Sequence, residues 1–230
     1  MMRLYHHTLS APSRFSRLML AEYDVAFELV EEQTWRKNPD FIAINPANSV
    51  PVLIAEAGVP IVGAIPIAEY IDETRGPMMH SKRLMPDYPL ERAEVRRIID
   101  WFTGRLDADV CRGLIRERVI KLEQAAEGGS GSPDSAVIRA AKANAKQHLT
   151  YLNWLAGTRN WLAGNSISAA DLSAAASISV LDYMGEIVWQ DLPAAREWYA
   201  RVKSRPSFRA LLSDRVRGLM PVSHYVDLDF

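Results

Sequence analysis

Hydrophobic and polar positions in the first third of the chain switch between strand-like and helix-like spacing. Residues 3–7 and 26–30 alternate in polarity and predict two strands, while residues 13–23 between them carry apolar side chains at helical spacing. Two short apolar runs, 50–54 and 59–62, are separated by a glycine-containing turn and predict a hairpin. Residues 65–73 return to helical spacing. The predicted order is β-α-β followed by β-β-α, which is typical of an α/β unit.

The remaining two thirds of the chain has only helical spacing. The stretch from Gly76 to Pro89 contains three prolines and suits a linker, which we place at residues 79–89. A first domain then covers residues 1–78, an all-helical domain covers 90–217, and residues 218–230 form a tail. The helical domain begins with one long helix whose apolar stripe is spaced by three or four residues: Val95, Ile98, Ile99, Phe102, Leu106 and Val110. Residues 138–155, 169–183 and 194–202 predict further helices.

Composition narrows the class of protein. The 230 residues are 48% hydrophobic and 24% charged, which is typical of a folded globular chain and excludes intrinsic disorder. A net charge of -1 gives no overall field that would attract nucleic acid, and no apolar run approaches the ~18 residues that a membrane span needs. Cys111 is the single cysteine, so no internal disulfide forms. We expect a cytoplasmic protein without cofactor or metal, and neither nucleic-acid binding nor membrane insertion.

Several motifs resemble the glutathione S-transferase superfamily. The segment 161–171 ends in Ser168-x-x-Asp171, an acidic variant of the capping box that starts a helix, and Pro193, Trp198 and residues 205–208 follow it. These resemble the helical domain of the superfamily, and Asn45-Pro46 with residues 50–53 resembles its thioredoxin-like domain. The resemblance implies an α/β plus all-α protein with an N-terminal thioredoxin-like domain and a C-terminal helical bundle. It also implies a cis peptide bond before Pro51, which shapes the thiol-binding site.

The glutathione site that this resemblance implies is degenerate. It comprises Ser10, Val50, Pro51, Gly63 and Ala64. Glutathione-binding members usually have Glu-Ser where this chain has Gly63-Ala64, and the missing hydroxyl held a charged carboxylate. Loss of such a bond typically costs ~1.5–3 kcal/mol, which disfavours glutathione.

Ser10 occupies the place of the catalytic hydroxyl or thiol of the superfamily, just after the first strand. Two interpretations fit its Ser-Ala-Pro-Ser context. Its hydroxyl can stabilise a thiolate by donating a hydrogen bond, which would make the protein a glutathione-dependent transferase or peroxidase. Alternatively, Ser10 caps the first helix without chemistry, and the residues alone favour this second interpretation.

A second resemblance covers essentially the whole chain and points to a non-catalytic branch of the superfamily. The tail, with Tyr225, Asp227 and Leu228 followed by Asp229 and Phe230, resembles the ending of glutathione-transferase-like division proteins of alphaproteobacteria. The segment 181–185 resembles them equally. This resemblance implies a homodimeric adaptor at the division site that binds FtsZ filaments, curves or bundles them, and couples the division ring to septal cell-wall synthesis. The tail can either dock on its own domain or present a recognition surface.

The same resemblance implies which residues contact FtsZ: Trp35, Arg112, Arg116, Glu117 and Asp227. Each has a structural alternative. Trp35 can pack under its loop, the three charged residues of the long helix can form a solvated face, and Asp227 can cap or pair locally. We expect charge reversal at Glu117 or Asp227 to leave the fold intact. We also expect the helix over residues 95–110 to lie at a two-fold dimer interface.

Overall fold

The computed structural model describes residues 1–129 and 131–228. Its sheet has four strands in the order β2-β1-β3-β4. β1 (Met2–His6) pairs in parallel with β2 (Phe27–Glu31) and antiparallel with β3 (Val52–Ile54), and β4 (Pro60–Val62) pairs antiparallel with β3. All four predicted strands are therefore confirmed.

Three helices accompany the sheet: α1 (Ala11–Glu22), α2 (Pro39–Ile44) and α3 (Ala64–Met79). Helix α2 was not predicted, because it is only six residues long, although Asn38 caps it by accepting a hydrogen bond from the Asp40 amide at 3.1 Å. The prediction for α3 was too short. The helix continues through Gly76 and Pro77, so the first part of the proline-containing stretch is helical.

The helical half opens with one uninterrupted run of helix from residue 89 to residue 126. Two of its segments are π-helical, with hydrogen bonds from residue i+5 to residue i, and these alternate with α-helical segments. The segments in chain order are α4 (Pro89–Ile99), the π-helical Asp100–Cys111, α5 (Arg112–Ile115), the π-helical Arg116–Ile120 and α6 (Lys121–Ala126). The predicted long helix is confirmed, and it is longer than its apolar stripe indicated.

Four further helices complete the bundle: α7 (Ser135–Thr158), α8 (Ala169–Tyr183), α9 (Pro193–Lys203) and α10 (Arg209–Leu212). Every residue of α8 is buried, and the helix packs against α1, α4 and the π-helical turns after α4. Its predicted start is confirmed, because the Asp171 carboxylate accepts a hydrogen bond from the Ser168 amide at 2.9 Å. One continuous core therefore joins the sheet half to the helical half.

Candidate functional site in the cleft between the sheet and the helices

A cleft of ≈ 730 Å³ separates the loops at the sheet edge from the long helical run. Its two walls come from different halves of the fold, so their relative position depends on the packing of α1 against α8. The sheet side contributes His7, Ser10, Pro12, Thr34, Trp35, Asn48, Ser49 and Val50, and the helical side contributes Asp107, Arg112, Ile115, Arg116, Ile120, Lys121 and Gln124. Ser10 and Val50 of the degenerate glutathione site thus share one cleft with Trp35, Arg112 and Arg116.

Ser10 has the geometry of a helix cap. Its hydroxyl oxygen accepts a hydrogen bond from the Ser13 amide at 3.3 Å, and its backbone is extended, as at a typical N-cap. The Ser13 hydroxyl in turn accepts a hydrogen bond from the His7 amide at 3.4 Å. The structure therefore shows the cap, but the Ser10 hydroxyl hydrogen is not used by it and Ser10 lines the cleft, so the absence of chemistry at Ser10 stays a prediction.

The remaining residues of the degenerate site are Pro51, which precedes β3, and Gly63 and Ala64, which lie at the start of α3. The Val50-Pro51 peptide bond is cis, as the resemblance implied. The Gly63 amide donates a hydrogen bond to the Pro51 carbonyl at 3.0 Å, and Gly63 occupies the N-cap position with a φ of 94°, in the region that favours glycine. Neither Gly63 nor Ala64 supplies a hydroxyl, so the start of α3 offers only backbone amides to an anion.

A π-helical turn creates the ion pair at the bottom of the cleft. The Arg112 Nε donates to the Asp107 carboxylate at 2.6 Å. In an α-helix, residues five apart point about 140° away from each other, whereas the i+5 to i hydrogen bond of a π-helical turn brings them to the same side of the helix. Asp107 is nearly inaccessible to solvent, and burial raises its pKa although Arg112 opposes this shift. The Arg112 side chain remains largely exposed.

Glu117 lies beneath this wall rather than on it. Its side chain is only 3% exposed, and its carboxylate accepts hydrogen bonds from the Asp134 amide at 2.7 Å and from the Lys121 ammonium at 2.5 Å. The Asp134 amide, then Lys121, lower the pKa of Glu117. These contacts contradict the solvated face on which the expectation of an intact fold rested, because a lysine here would face Lys121 and leave a backbone donor without its acceptor.

Trp35 bridges the two walls of the cleft. It is half-buried, its indole N–H donates to the Glu123 carboxylate at 3.0 Å, and the Arg36 guanidinium lies 5.3 Å from its ring centre. His7 Nε2 lies 3.7 Å from the other oxygen of Glu123. Burial acts to raise the pKa of Glu123, but the contacts from His7 and Trp35 outweigh it and lower this pKa. Trp35 is thus neither wholly packed under its loop nor wholly free.

Sequence comparisons assign this architecture to a family. Residues 1–73 match the glutathione S-transferase N-terminal domain, and residues 135–215 match the glutathione S-transferase C-terminal domain. The chain belongs to the glutathione S-transferase family. Within this family it is 39% identical to FtsZ-localized protein A of Caulobacter vibrioides, over 99% of this chain and 97% of that protein. The predicted family and fold class are confirmed.

Solved structures of relatives agree with the family assignment and with the predicted fold class. A crystal structure of a glutathione S-transferase from Sinorhizobium meliloti 1021 is 54% identical and superposes with a TM-score of 0.97, with 100% of each chain covered. The structure of FzlA from C. crescentus is 39% identical with a TM-score of 0.89, and covers 100% of this chain and 99% of that one. One of these relatives is thus named as a glutathione S-transferase, and the other is named for its localization with FtsZ.

A C-terminal tail packs against the transferase fold outside the cleft. Tyr225 is fully buried, and its hydroxyl accepts a hydrogen bond from the Arg14 guanidinium at 2.9 Å and donates to the Leu211 carbonyl at 3.0 Å. Arg14 is also fully buried and donates to the Thr8 carbonyl, to the Ser179 hydroxyl and to Asp214. The N-terminal half of the transferase fold is therefore joined to the tail through one buried guanidinium.

The segment 181–185 that suggested the division branch forms the receptor for this tail. Asp182 is buried and accepts hydrogen bonds from Trp189 at 3.0 Å and from His224 at 3.2 Å, with the Lys203 ammonium 3.7 Å away. Burial raises the pKa of Asp182 although Lys203 opposes this shift. Gly185 has a φ of 70°, and a Cβ there would lie 2.6 Å from Val222 of the tail. The segment 181–185 and the tail, which are far apart in the sequence, thus contact each other.

Asp227 lies outside the cleft. It is exposed, and its amide donates to the His224 carbonyl at 3.1 Å, while Val226 and Leu228 on either side are 47% and 44% exposed. Tyr225 thus docks on the helical domain, whereas residues 226–228 face solvent, and the recognition surface stays a prediction. Asp229 and Phe230 lie outside the described residues.

Other chemistry is limited in the part of the chain that the structure describes. No group of three or more His, Cys, Asp or Glu side chains in residues 1–129 and 131–228 is placed to hold a metal ion. None of the described helices combines the length and apolarity that crossing a membrane requires. Cys111 is buried, and burial raises its pKa well above the usual range, so it is a poor nucleophile.

Proposed function

We propose that this protein is a non-catalytic, glutathione-transferase-like cell division adaptor that binds FtsZ filaments. The observation that carries the proposal is the 39% identity to FtsZ-localized protein A, which extends over 99% of the chain. The docked tail supports it, because His224 of the tail bonds to Asp182 in the segment 181–185, and both motifs resemble the division branch. We place the adaptor in the cytoplasm at the division site.

The proposed filament contact is the wall of the cleft that carries Trp35, Arg112 and Arg116. Trp35 supplies the aromatic anchor, and the two guanidinium groups supply exposed charge. Glu117 acts from below, because it fixes Lys121 and lies 3.9 Å from the Arg116 guanidinium. Asp227 belongs to a separate exposed surface at the tail, which we propose as a second FtsZ contact. Through these contacts the adaptor would couple the division ring to septal cell-wall synthesis.

We also propose that the adaptor works as a homodimer. The ring of Trp101 on the long helical run lies 4.6 Å from the Tyr151 ring of α7, at a tilt of 51°. Trp154, whose ring lies 6.0 Å from that of Tyr151, is 55% exposed. Such an exposed aromatic group beside residues 95–110 suits a two-fold interface. Two copies of a weak filament contact gain affinity through effective concentration, and their fixed separation would curve or bundle the polymer. Sedimentation should give about twice the chain mass of 25.8 kDa.

The proposal is tested by co-pelleting with GTP-assembled FtsZ from the same organism. We expect the wild-type protein to pellet at micromolar concentration and moderate salt, and to pellet less as the salt concentration rises. Trp35→Ala should weaken binding more than Arg116→Gln, because an aromatic anchor contributes more than an exposed charge. Lys146→Gln, an exposed cation away from the cleft, is the matched control. Wild-type protein that stays in the supernatant would refute the FtsZ assignment.

The alternative function is a glutathione-dependent transferase or peroxidase that uses Ser10. The half-buried Ser10 that lines the cleft and the 54% identical Sinorhizobium transferase favour it. Calorimetric titration with glutathione separates the two functions. Tight binding, together with turnover of an electrophile that disappears in Ser10→Ala, would establish the enzyme, and absence of both would leave the adaptor.

A further inference from the structure

The cleft contains a polar atom that the fold itself does not use. Asn48 Oδ1 is buried and has no hydrogen-bond partner among the described residues, while its Nδ2 donates to the Thr34 carbonyl at 2.7 Å. The amide is therefore held in one orientation by Thr34, with an acceptor left over. His7 Nε2 is also buried, but the Glu123 carboxylate 3.7 Å away is its ion-pair partner, so the fold already uses it. Buried polar atoms normally have partners, so Asn48 Oδ1 indicates a ligand that donates to it.

The opposite wall presents guanidinium groups that are fixed from below and open above. Arg112 is held through its Nε by Asp107, and Arg116 lies 3.9 Å from Glu117. Their side chains are 68% and 74% exposed, so the outer N–H groups are available to an acceptor. Carboxylates beneath an arginine orient its fork without occupying the outer N–H groups, and such a fork suits a ligand carboxylate.

The shape of the cleft indicates whether its ligand is a flat protein surface or a protruding segment. A volume of ≈ 730 Å³ between two walls cannot be filled by a flat filament face, but an extended peptide can enter it. The backbone N–H groups of such a peptide suit Asn48 Oδ1, its acidic side chains suit Arg112 and Arg116, and its apolar side chains suit Ile115, Ile120 and the Trp35 ring.

We propose that the cleft binds an extended acidic peptide segment that protrudes from the filament partner. The inference rests on the proposed function for the identity of that partner, but the site itself is defined by this chain alone. The proposed ligand belongs to a different class from glutathione, because it needs no thiol. It also does not use the start of α3, which offers only backbone amides to an anion. Lys121 contributes less than the two arginines, because it is already bound to Glu117 and to the Ser132 carbonyl.

The test is fluorescence anisotropy of the full-length protein with a short fluorescein-labelled peptide of alternating aspartate and leucine. A matched peptide with asparagine in place of aspartate controls for charge. We expect saturable binding of the acidic peptide at low salt, weakened about tenfold by Arg116→Gln and unchanged by Arg139→Gln. Arg139 is exposed on α7 and does not line the cleft, and thermal unfolding should show that both variants fold.

The outcomes separate this inference from the proposed function. The inference is supported if the unlabelled acidic peptide also displaces the wild-type protein from FtsZ filaments. It is overturned if the protein pellets with FtsZ but the peptide does not bind, if Arg116→Gln binds the peptide like wild type, or if the bound peptide fails to displace the protein. If the peptide binds in the cleft but the protein does not pellet with FtsZ, the acidic-peptide site stands and the FtsZ assignment fails.

Discussion

Replacing Tyr225 with phenylalanine tests whether the tail is an integral part of the fold. The change removes only the hydroxyl, which accepts a hydrogen bond from Arg14 and donates one to the Leu211 carbonyl. The bond to a charged donor contributes about 1.5–3 kcal/mol, and a carbonyl left without its donor adds about 1 kcal/mol. Because Arg14 and Tyr225 are both fully buried, water cannot replace the lost bonds. We expect Tyr225→Phe to lower the free energy of unfolding by roughly 2–4 kcal/mol.

The assay is urea unfolding of full-length wild type, Tyr225→Phe and a matched control, Tyr151→Phe. The Tyr151 hydroxyl also accepts a hydrogen bond from an arginine, Arg97, at 2.8 Å, but this bond is exposed. Its loss should cost no more than about 0.5 kcal/mol. For a chain of this length, the buried substitution should also lower the melting temperature by on the order of 5–10 °C. Equal effects of the two substitutions would refute the idea that the tail contact is structural.

Three further substitutions test individual features. Glu117→Lys should lower the melting temperature clearly, whereas Asp227→Lys should not, since Glu117 is buried and bonded and Asp227 is exposed; equal melting temperatures would show that Glu117 is dispensable. Gly185→Ala should destabilise the protein in urea unfolding, because its φ of 70° disfavours a side chain and the Cβ would meet Val222; an unchanged midpoint would contradict the tight turn. Burial first, then nearby Arg17, His7 and Arg14, lowers the pKa of His6 from 6.5 to about 3. Between about pH 3 and pH 6.5, the unfolded chain binds a proton at His6 that the folded chain does not. The free energy of unfolding should therefore fall as the pH drops below 6.5, by up to about 1.4 kcal/mol per pH unit. His6→Gln should flatten the dependence of the urea midpoint on pH, and an identical slope would rule out His6 as its source.

The parts of the fold that the sequence predicts are those set by local chemistry. Strand alternation, the helical stripe after residue 95 and the Ser168–Asp171 cap depend on neighbours within a few residues, so their pattern is visible in one dimension. α2 was missed because six residues carry too little periodicity. The extent of α3 was underestimated because Pro77 suggested an earlier end, although a proline near the last turn of a helix removes only one hydrogen bond.

The candidate site was only partly predictable for the same reason. Trp35, Arg112 and Arg116 were named from resemblance, and the structure places all three on one cleft. The pairing of Asp107 with Arg112 was missed, because helical spacing places residues five apart on different faces and no sequence signal marks a π-helical turn. The burial of Glu117 was missed as well, because its partner Asp134 lies in another segment and acts through its backbone amide.

The hydrogen bonds of Arg14 also affect the order in which parts of the chain pack during synthesis. Arg14 is synthesised before its partners Asp214 and Tyr225, which follow 200 and 211 residues later. Until those partners are made, packing α1 against α8 would enclose the guanidinium without two of its hydrogen bonds, which is unfavourable. We therefore expect the packing of these two helices to be completed only when the tail docks. A chain cut short before Tyr225 lacks the bond to its hydroxyl, and we expect it to be more susceptible to proteolysis than a chain that contains Tyr225.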